Sequence, residues 1–587
     1  MANGNYVSAS IPVPDWKMLK GKPYVTVSAK GISNGLSNIP NDGADFGPDT
    51  PGTQTYGIQE AFNFVANSGK PSIVKLLSGI FYPTSAINYS GTVPLRLTGN
   101  GAGNIYQLTG ETIIDFSQVN PSSLLPNTDG VGGAAITFNH PAITSSIMPH
   151  LEIDHIQFQN MTISGASLMS GARVNNLYFH DNFEYNLTTG ITIQAGFNVF
   201  NAIHIAERNT AYQVGYNPFS LWYATSECIR NNLIMTSVAI DDAISANIAA
   251  DTPGIFVEVS GNYIYNTTPV GSATNGRGIV VSPLNFVSGI VYNAVIENNL
   301  IVGPYLVGID IFPAVAHNTI RIAGNYISGM SANDDGTLYP YFGSGIRILL
   351  ENETPFISPK LIEITGNTIT GNDRAGIYVG LSGNTGCDIQ NLIINDNTIY
   401  NNNQQKTGVG SGIPAAGLSI IGSAAGNNTI HIMKVTGNRF FDNQTTPTQL
   451  YAIQFDNNGN TTTETIETAI IDGNSLDNTN PFYFGSNMVL GSASRIINNK
   501  GYNPQGFNIT TPAFPASGTA VQNTNPYPVR IYLLTLGGAT AVSITDIYGN
   551  TKSLAAPSAG NEYTLDPGAS ITFTWSSTSP TWLWYGV

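Results

Sequence analysis

The sequence has few charged residues and no excess of basic ones. Lys, Arg, Asp and Glu make up 10% of the 587 residues, against about 25% in an ordinary soluble domain. The formal net charge is −15, so no basic face is expected to displace counterions from phosphates, and nucleic-acid binding is disfavoured. Disorder is disfavoured too, because 42% of the residues are hydrophobic and burying them offsets the entropy lost on folding.

Cysteines and long apolar runs are also scarce. Cys228 and Cys387 are too few for a disulfide framework and are expected to be buried thiols. No stretch reaches 18 consecutive apolar residues, so no membrane span is expected. The first residues lack the basic and apolar regions of a secretory signal. Since neutral amides and hydroxyls dominate the polar residues, an extracellular and acidic setting is expected: either a signal was removed, or the protein leaves the cell within an assembled particle.

A register of asparagines runs through the middle of the chain, with a spacing of 25 residues from Asn474 to Asn499 and 42 from Asn325 to Asn367. Apolar residues stand five and three positions before most of these asparagines and two positions after them. Apolar residues two apart in short β-branched runs predict strands with one buried face. Short strands repeated at this period predict a solenoid, here an all-β parallel β-helix. The anchors are Asn262, Asn299, Asn325, Asn367, Asn397, Asn438, Asn474 and Asn499.

The anchor asparagines are predicted to be structural, because Asn tolerates left-handed dihedrals and its amide can bond the next coil in a ladder. Many coils also carry a further short strand, whose outward side chains should line one groove. A row of polar, aromatic and charged groups suits an extended glycan. The alternative is a solvated sheet face with an Asp310–Arg347 ion pair. The row is Val280, Asp310, Arg347, Tyr378, Ser419 and Gln454.

Near the start, Ile58, Ala61, Phe62 and Val65 predict an amphipathic helix that covers the open first coil. An Asp/Gly-rich loop precedes it, and the segments Gly79-Ile-Phe-Tyr-Pro83 and Gly99-Asn-Gly-Ala-Gly103 follow it. This order resembles the entry segment of the pectin-lyase-like superfamily of right-handed parallel β-helices, which includes polysaccharide lyases, glycoside hydrolases and viral tailspikes. The resemblance covers roughly Val25 to Tyr502 and implies the fold rather than one activity.

The repeat stops after Gly501, and prolines mark a linker before alternating runs that predict a small antiparallel β-sandwich. Trp582 and Trp584 in that sandwich are candidates for stacking on sugar rings, with sheet core or a subunit interface as the alternative. The expected organisation is an attachment segment (1–40), a β-helix entry with its capping helix (41–115), the β-helix body (116–502), a linker (503–518) and the C-terminal sandwich (519–587).

Candidate catalytic residues are the acidic pair Asp241-Asp242 and Asp310, because glycoside hydrolysis needs two carboxylates close together. The pair is similar to the Asp-Asp motif of polygalacturonases, but the Gly-His-Gly and Arg-x-Lys motifs of that family are absent. No cofactor is predicted. No metal site is predicted either, since the histidines show no ligand spacing.

Candidate glycan-binding residues lie in a long insertion and in the outward row. Insertions in a solenoid gather on one edge and often bind ligands. The residues are Asp334, Asp335, Tyr339 and Tyr341 in the insertion, Arg347 and Tyr378 in the row, and the tryptophans Trp582 and Trp584.

The preferred hypothesis is a tailspike- or tail-fibre-like protein at the virion surface that binds, and could cleave, host-surface polysaccharide. Its expected partners are a host glycan or glycoprotein and other tail proteins through the N-terminus. The resemblance implies a homotrimer, and the composition looks like that of proteins from viruses of hot acidic archaea. Two alternatives stay open: a secreted polysaccharide hydrolase or lyase, and a non-enzymatic cell-surface adhesin.

Overall fold

The structure is a computed structural model in which the chain divides into two units, residues 1–349 with 353–357 and residues 350–352 with 358–587. It describes residues 24–30, 44–126, 133–139, 147–164, 166–171, 173–194, 202–236, 242–248, 255–267, 276–283, 292–313, 319–332, 342–350, 359–381, 388–406, 412–422, 427–457, 463–478, 480–503 and 509–586.

The predicted capping helix is present as Ile58–Ser68, and its four apolar residues are all buried. It ends at Gly69, whose φ of 65° lies in the left-handed region that glycine enters without strain. The helix contacts strands Tyr24–Val27, Ser72–Leu76 and Ile87–Tyr89, which belong to the first coils. Two 3-10 turns follow, at Phe116–Gln118 and Pro121–Ser123. Within the described residues, no helix combines the length and the apolar character needed to cross a membrane.

The first unit is built from three columns of strands, each strand pairing in parallel with the strand of the next coil. The first column is Tyr24–Val27, Ser72–Leu76, Leu95–Thr98, Leu151–Asp154, Asn176–His180, Ile203–Glu207, Ser226–Arg230, Ile255–Ser260, Tyr292–Glu297 and Thr319–Ala323. The second column is Gly79–Phe81, Thr112–Asp115, Gln157–Gln159, Leu233–Thr236, Tyr263–Asn266, Leu300–Val302 and Tyr326–Ser328. The third column is Ile87–Tyr89, Gly133–Phe138, Ala166–Gly171, Ile244–Ile248, Arg277–Pro283, Val307–Ile311 and Ser344–Leu350.

Two long strands of this unit, Phe183–Gln194 and Thr210–Trp222, run through the second and third columns without a break. One short strand, Leu125–Pro126, pairs antiparallel with Gly133–Phe138. The connection from each column to the next winds in one sense, which is right-handed as for other parallel crossovers. The first unit is therefore a right-handed parallel β-helix.

The second unit repeats the three columns and adds the C-terminal sheets. Its first column is Leu361–Thr365, Asp388–Asn395, Thr429–Thr436 and Glu464–Asp472, followed by Met488–Leu490 and Arg495–Ile497, which both pair with Glu464–Asp472. Its second column is Thr368–Thr370, Thr398–Tyr400, Arg439–Phe441 and Ser475–Asp477. Its third column is Ile377–Leu381, Leu418–Gly422, Tyr451–Asp456 and Asn480–Phe484.

The inward rows of both units confirm the predicted strand pattern. All residues three positions before an anchor asparagine are fully buried, and so are those two positions after it except Gly501. Strands so short are held by this burial rather than by strand propensity, because each coil covers the apolar face of its neighbour. The residues three before are Val259, Ile296, Ile322, Ile364, Ile394, Val435, Ile471 and Ile496.

The anchor asparagines form the predicted ladder inside each unit. The Oδ1 of Asn299 accepts from the backbone N–H and from Nδ2 of Asn262, both at 3.0 Å, while Nδ2 of Asn262 also donates to the carbonyl of Ile229. The same contacts recur from Asn367 to Asn397 and onward. The left-handed residue is the one before each anchor, for example Asn298 at φ 57° and Gly437 at φ 66°. The residue before the anchor takes the left-handed conformation and the anchor makes the ladder contacts, whereas the sequence reasoning assigned both roles to the anchor asparagine.

The C-terminal part of the second unit consists of two antiparallel sheets. Ala520–Gln522, Ser570–Trp575, Ala539–Thr545 and Thr551–Ser553 form one sheet in that order, and Glu562–Leu565, Val529–Thr535 and Thr581–Gly586 form the other. Apolar side chains from both sheets share one core, which confirms the predicted sandwich.

Candidate functional site

The candidate catalytic carboxylates Asp242 and Asp310 are both held by arginines on the third column of the first unit. Nε and Nη2 of Arg277 donate to the two oxygens of Asp242 at 2.7 and 2.8 Å. Nε and Nη2 of Arg347 donate to the two oxygens of Asp310 at 2.7 and 2.6 Å. Nη1 of Arg277 also lies 3.5 Å from Asp310. The structure thus brings Asp242 and Asp310 into one chain of ion pairs, while Asp241 lies outside the described residues.

This ion-pair chain is covered rather than open to solvent. Asp310 is fully buried and Arg347 is 4% exposed, with the rings of Phe312 and Phe342 at 5.4 and 5.2 Å from its guanidinium carbon. Both oxygens of each carboxylate accept from an arginine, so neither carboxylate is free to act on a glycosidic bond. Arg277 was not predicted as a site residue, although it lies only three positions before Val280 of the outward row.

The expected open groove along the outward row is wrong. All six residues of that row are buried, in the first unit as well as in the second. In the second unit, the hydroxyl of Ser419 donates to Oε1 of Gln454 at 2.9 Å. Polar side chains at these positions find partners on neighbouring coils and are removed from water, which sequence spacing alone does not reveal. The buried residues are Val280, Asp310, Arg347, Tyr378, Ser419 and Gln454.

The tryptophans are core residues, so their expected role in sugar stacking is wrong. Trp582 and Trp584 are 5% and 1% exposed, and they contact each other edge to face at 5.5 Å in the core of the sandwich. Nε1 of Trp582 donates to the carbonyl of Pro512 at 2.8 Å. The remaining candidates, Asp334, Asp335, Tyr339 and Tyr341, lie outside the described residues.

A charged network that the sequence reasoning missed lies on the outer face of the first column. Nε of Arg96 lies 2.8 Å from Asp154 and 3.2 Å from Glu152, and Nε2 of His180 lies 3.4 Å from Glu152. Burial opposes protonation of His180, but hydrogen bonds to Glu152 and Asp181 outweigh it and raise its pKa.

Ligand atoms of Glu152, Asp154 and His180 lie within 4.8 Å of one another, a set that could hold a metal ion. The guanidinium of Arg96 already supplies the positive charge there, so the set is satisfied as an ion-pair network.

The interior of the first unit holds ionisable side chains on successive coils. Glu184 is fully buried on the inward row, and neither of its carboxylate oxygens has a hydrogen-bond partner in the described part of the chain. Burial raises its pKa well above the usual range. His204 and Glu227 face inward as register partners on neighbouring coils, and burial lowers the pKa of His204 to about 4. These groups lie away from solvent and therefore from any polysaccharide.

Three exposed tyrosines of the first unit lie on the outer face of its second column. Tyr263, Tyr265 and Tyr326 are 58%, 42% and 39% exposed. They share this face with half-buried apolar side chains from six successive coils, and we call the set the tyrosine strip. It comprises Tyr185, Tyr212, Leu233, Met235, Tyr263, Tyr265, Leu300, Val302 and Tyr326.

The strand register places these residues in two rows that run along the β-helix. Tyr263 pairs with Leu300, which pairs with Tyr326 in the next coil. Tyr185 and Tyr212 stack with their ring centroids 5.8 Å apart and their planes at 9°. Because alternate residues of a strand face opposite sides, the positions one and three after each anchor asparagine must point outward. That spacing is a sequence signal for the strip, and the sequence reasoning did not use it.

Comparisons with solved structures concern parallel β-helix proteins. The tailspike of E. coli bacteriophage HK620, in complex with a pentasaccharide, is 11% identical, with a TM-score of 0.48 over 95% of this chain and 92% of that chain. Tailspike protein 3 of bacteriophage CBA120 is 13% identical, with a TM-score of 0.43 over 89% and 72%. The A-module of a mannuronan C-5 epimerase from Azotobacter vinelandii is 13% identical, with a TM-score of 0.38 over 74% and 93%. No protein-family model matches, and no curated protein matches.

The parallel columns, the two-residue turns and the capping helix decide the architecture. The chain has a right-handed parallel β-helix fold. Likeness at such low identity shows the fold alone, and proteins of one fold differ in function through their side chains. In this β-helix the tyrosine strip is an exposed aromatic surface that a ligand can reach.

Proposed function

We propose that this protein binds a cell-surface polysaccharide and serves as a tailspike- or tail-fibre-like attachment protein. The observation that carries the proposal is the tyrosine strip, where two exposed tyrosines lie on one coil of a rigid sheet and a third lies two coils further along it. Tyrosine combines a large apolar face with a hydroxyl and loses little side-chain entropy on binding, which suits contact with sugar rings. Scarce charge and abundant neutral polar groups fit contact with a hydrated glycan coat.

We propose that the protein binds the polysaccharide and that the carboxylates of the third column do not cleave it. Asp242 and Asp310 are each engaged by an arginine and are buried, so neither offers a free carboxylate to a glycosidic bond. The alternative of a secreted hydrolase or lyase would have to use other residues. We further propose that the protein acts outside the cell at the virion surface, as a homotrimer joined to other tail proteins through its N-terminal segment.

Incubation of the purified full chain with cells of candidate hosts, before and after enzymatic or periodate removal of their surface polysaccharide, tests this function. We expect the protein to sediment with untreated cells and to stay in solution with stripped cells. Mass spectrometry of the supernatant should detect no released oligosaccharides. Equal sedimentation with stripped cells would overturn glycan attachment, and rapid release of oligosaccharides would favour the secreted-enzyme alternative.

A further inference from the structure

The register of the tyrosine strip leaves one coil between two exposed tyrosines, and we call this gap the slot. Tyr263 and Tyr326 occupy the same outer row two coils apart, with Leu300 between them. Neighbouring strands lie about 4.8 Å apart, so the two tyrosine backbones are separated by about 9.6 Å. A ring held between two aromatic faces needs about 3.5–4.0 Å on each side. A single pyranose ring therefore fits over Leu300 between the two tyrosines.

The described residues at the outward positions of the second column around the slot are uncharged. The six coils place twelve residues at outward positions of the second column, and none of them is ionisable to a charged group near neutral pH. The nearest carboxylate along the chain, Glu297, lies 3.7 Å from Nη1 of Arg321, which offsets its charge. The twelve residues are Phe183, Tyr185, Thr210, Tyr212, Leu233, Met235, Tyr263, Tyr265, Leu300, Val302, Tyr326 and Ser328.

This chemistry selects against acidic sugars. Uronates and sulfated sugars are held by arginine forks or lysines, and the slot has neither. A phenol hydroxyl both donates and accepts, so it matches the hydroxyls of a neutral sugar. The net charge of −15 adds a long-range repulsion against a polyanion.

We propose that the slot formed by Tyr263, Leu300 and Tyr326 binds one pyranose ring of a neutral glycan, whose chain continues along the strip over Tyr265 and Val302. The proposal rests on the proposed function, because it names the class of polysaccharide that the attachment protein recognises. The apolar faces of the ring contact the two tyrosines, and Leu300 forms the floor.

Affinity electrophoresis of the full chain in gels containing dextran, laminarin, mannan, polygalacturonate or alginate tests the class. We expect at least one of the three neutral polymers to retard the protein and both acidic polymers to leave its mobility unchanged. Tyr263→Ala and Tyr326→Ala should each weaken neutral binding about 3- to 10-fold, as expected for loss of one aromatic contact.

Tyr106→Ala and Tyr548→Ala are the matched controls, because these tyrosines are 93% and 79% exposed outside the strip. They should bind as the parent does, and circular dichroism should show that all four variants are folded. Retardation by an acidic polymer, or by no neutral polymer while host cells still bind, overturns the neutral class and leaves the proposed function standing. If the parent chain does not bind host cells, both the neutral class and the proposed function are overturned. If the strip variants dissociate an oligomer seen by analytical ultracentrifugation, the strip joins copies of the chain and the proposal fails.

Discussion

The second columns of the two units share their inner row and differ on their outer face. Inside, both units stack fully buried apolar residues, such as Ile264 and Ile301 in the first unit and Ile369 and Ile399 in the second. Outside, the first unit carries the tyrosine strip, whereas the second carries three threonines, Ser475, the charged Arg439 and Asp477, and a stacked pair, Tyr400 and Phe441, at 4.7 Å. The fold constrains only the side that packs, so the outer positions are where the units can acquire different functions.

The largest expected loss of stability comes from a substitution in the inner row that both units share. Ile264→Asp places a charge in the interior and removes apolar packing, which should cost about 5 kcal/mol or more. Ile399→Asp should do the same in the second unit. The adjacent outward change Tyr263→Asp should cost less than about 1 kcal/mol. Hydrogen exchange of the flanking strands measures the local opening free energies, and similar losses for Ile264→Asp and Tyr263→Asp would contradict the assigned faces.

The second effect compares the third columns, where an arginine–carboxylate pair is buried in the first unit and a serine–glutamine hydrogen bond is buried in the second. Asp310→Asn leaves the buried guanidinium of Arg347 without its anion and should cost about 3–5 kcal/mol. Ser419→Ala removes a neutral hydrogen bond and should cost about 1 kcal/mol.

Thermal unfolding and hydrogen exchange of strands Val307–Ile311 and Leu418–Gly422 give both values. The double change Asp310→Met with Arg347→Leu should regain much of the loss, because no charge is then left buried. A double variant as unstable as Asp310→Asn would contradict this account of the pair.

Sequence spacing predicted the inner rows and the asparagine ladder because both follow from contacts that repeat from coil to coil. It did not predict which outward residues stay in water. Arg347 and Asp310 looked like an exposed row, yet their pairing across coils and the cover of Phe312 bury them. Trp582 was a candidate for stacking on a sugar ring, but a side chain as large as tryptophan is equally suited to fill a thin sandwich core. The strip could have been predicted from the positions after each anchor.

The smallest effect concerns Glu184, which interrupts the apolar inner row of the first unit. Burial raises its pKa, so the neutral acid is the form that the interior tolerates. A carboxyl group with a raised folded-state pKa favours folding fully below its unfolded-state pKa, and this contribution is lost as the pH rises. Glu184→Gln should therefore match the parent at pH 4 and be progressively more stable above it.

Melting temperatures of the parent and Glu184→Gln, measured from pH 4 to pH 8, check this prediction. Thr368→Ser, at a half-buried outward position of the second unit, changes no ionisable group, so it is the control and should give a constant difference across this range. If the difference in melting temperature between Glu184→Gln and the parent does not change with pH, then titration of the buried carboxyl group does not contribute to the pH dependence of stability.

The two-residue turn before the second column has a practical consequence. Successive anchors are bonded to each other although the intervening coil is as short as 23 residues, from Asn209 to Asn232, or as long as 41, from Asn397 to Asn438. The ladder therefore accepts coils of very different length without losing its contacts, and lengthening a surface loop adds little closure entropy. Foreign peptides inserted into neighbouring coils, away from the anchors, should be displayed about 4.8 Å apart. Such a fixed spacing suits multivalent antigen display.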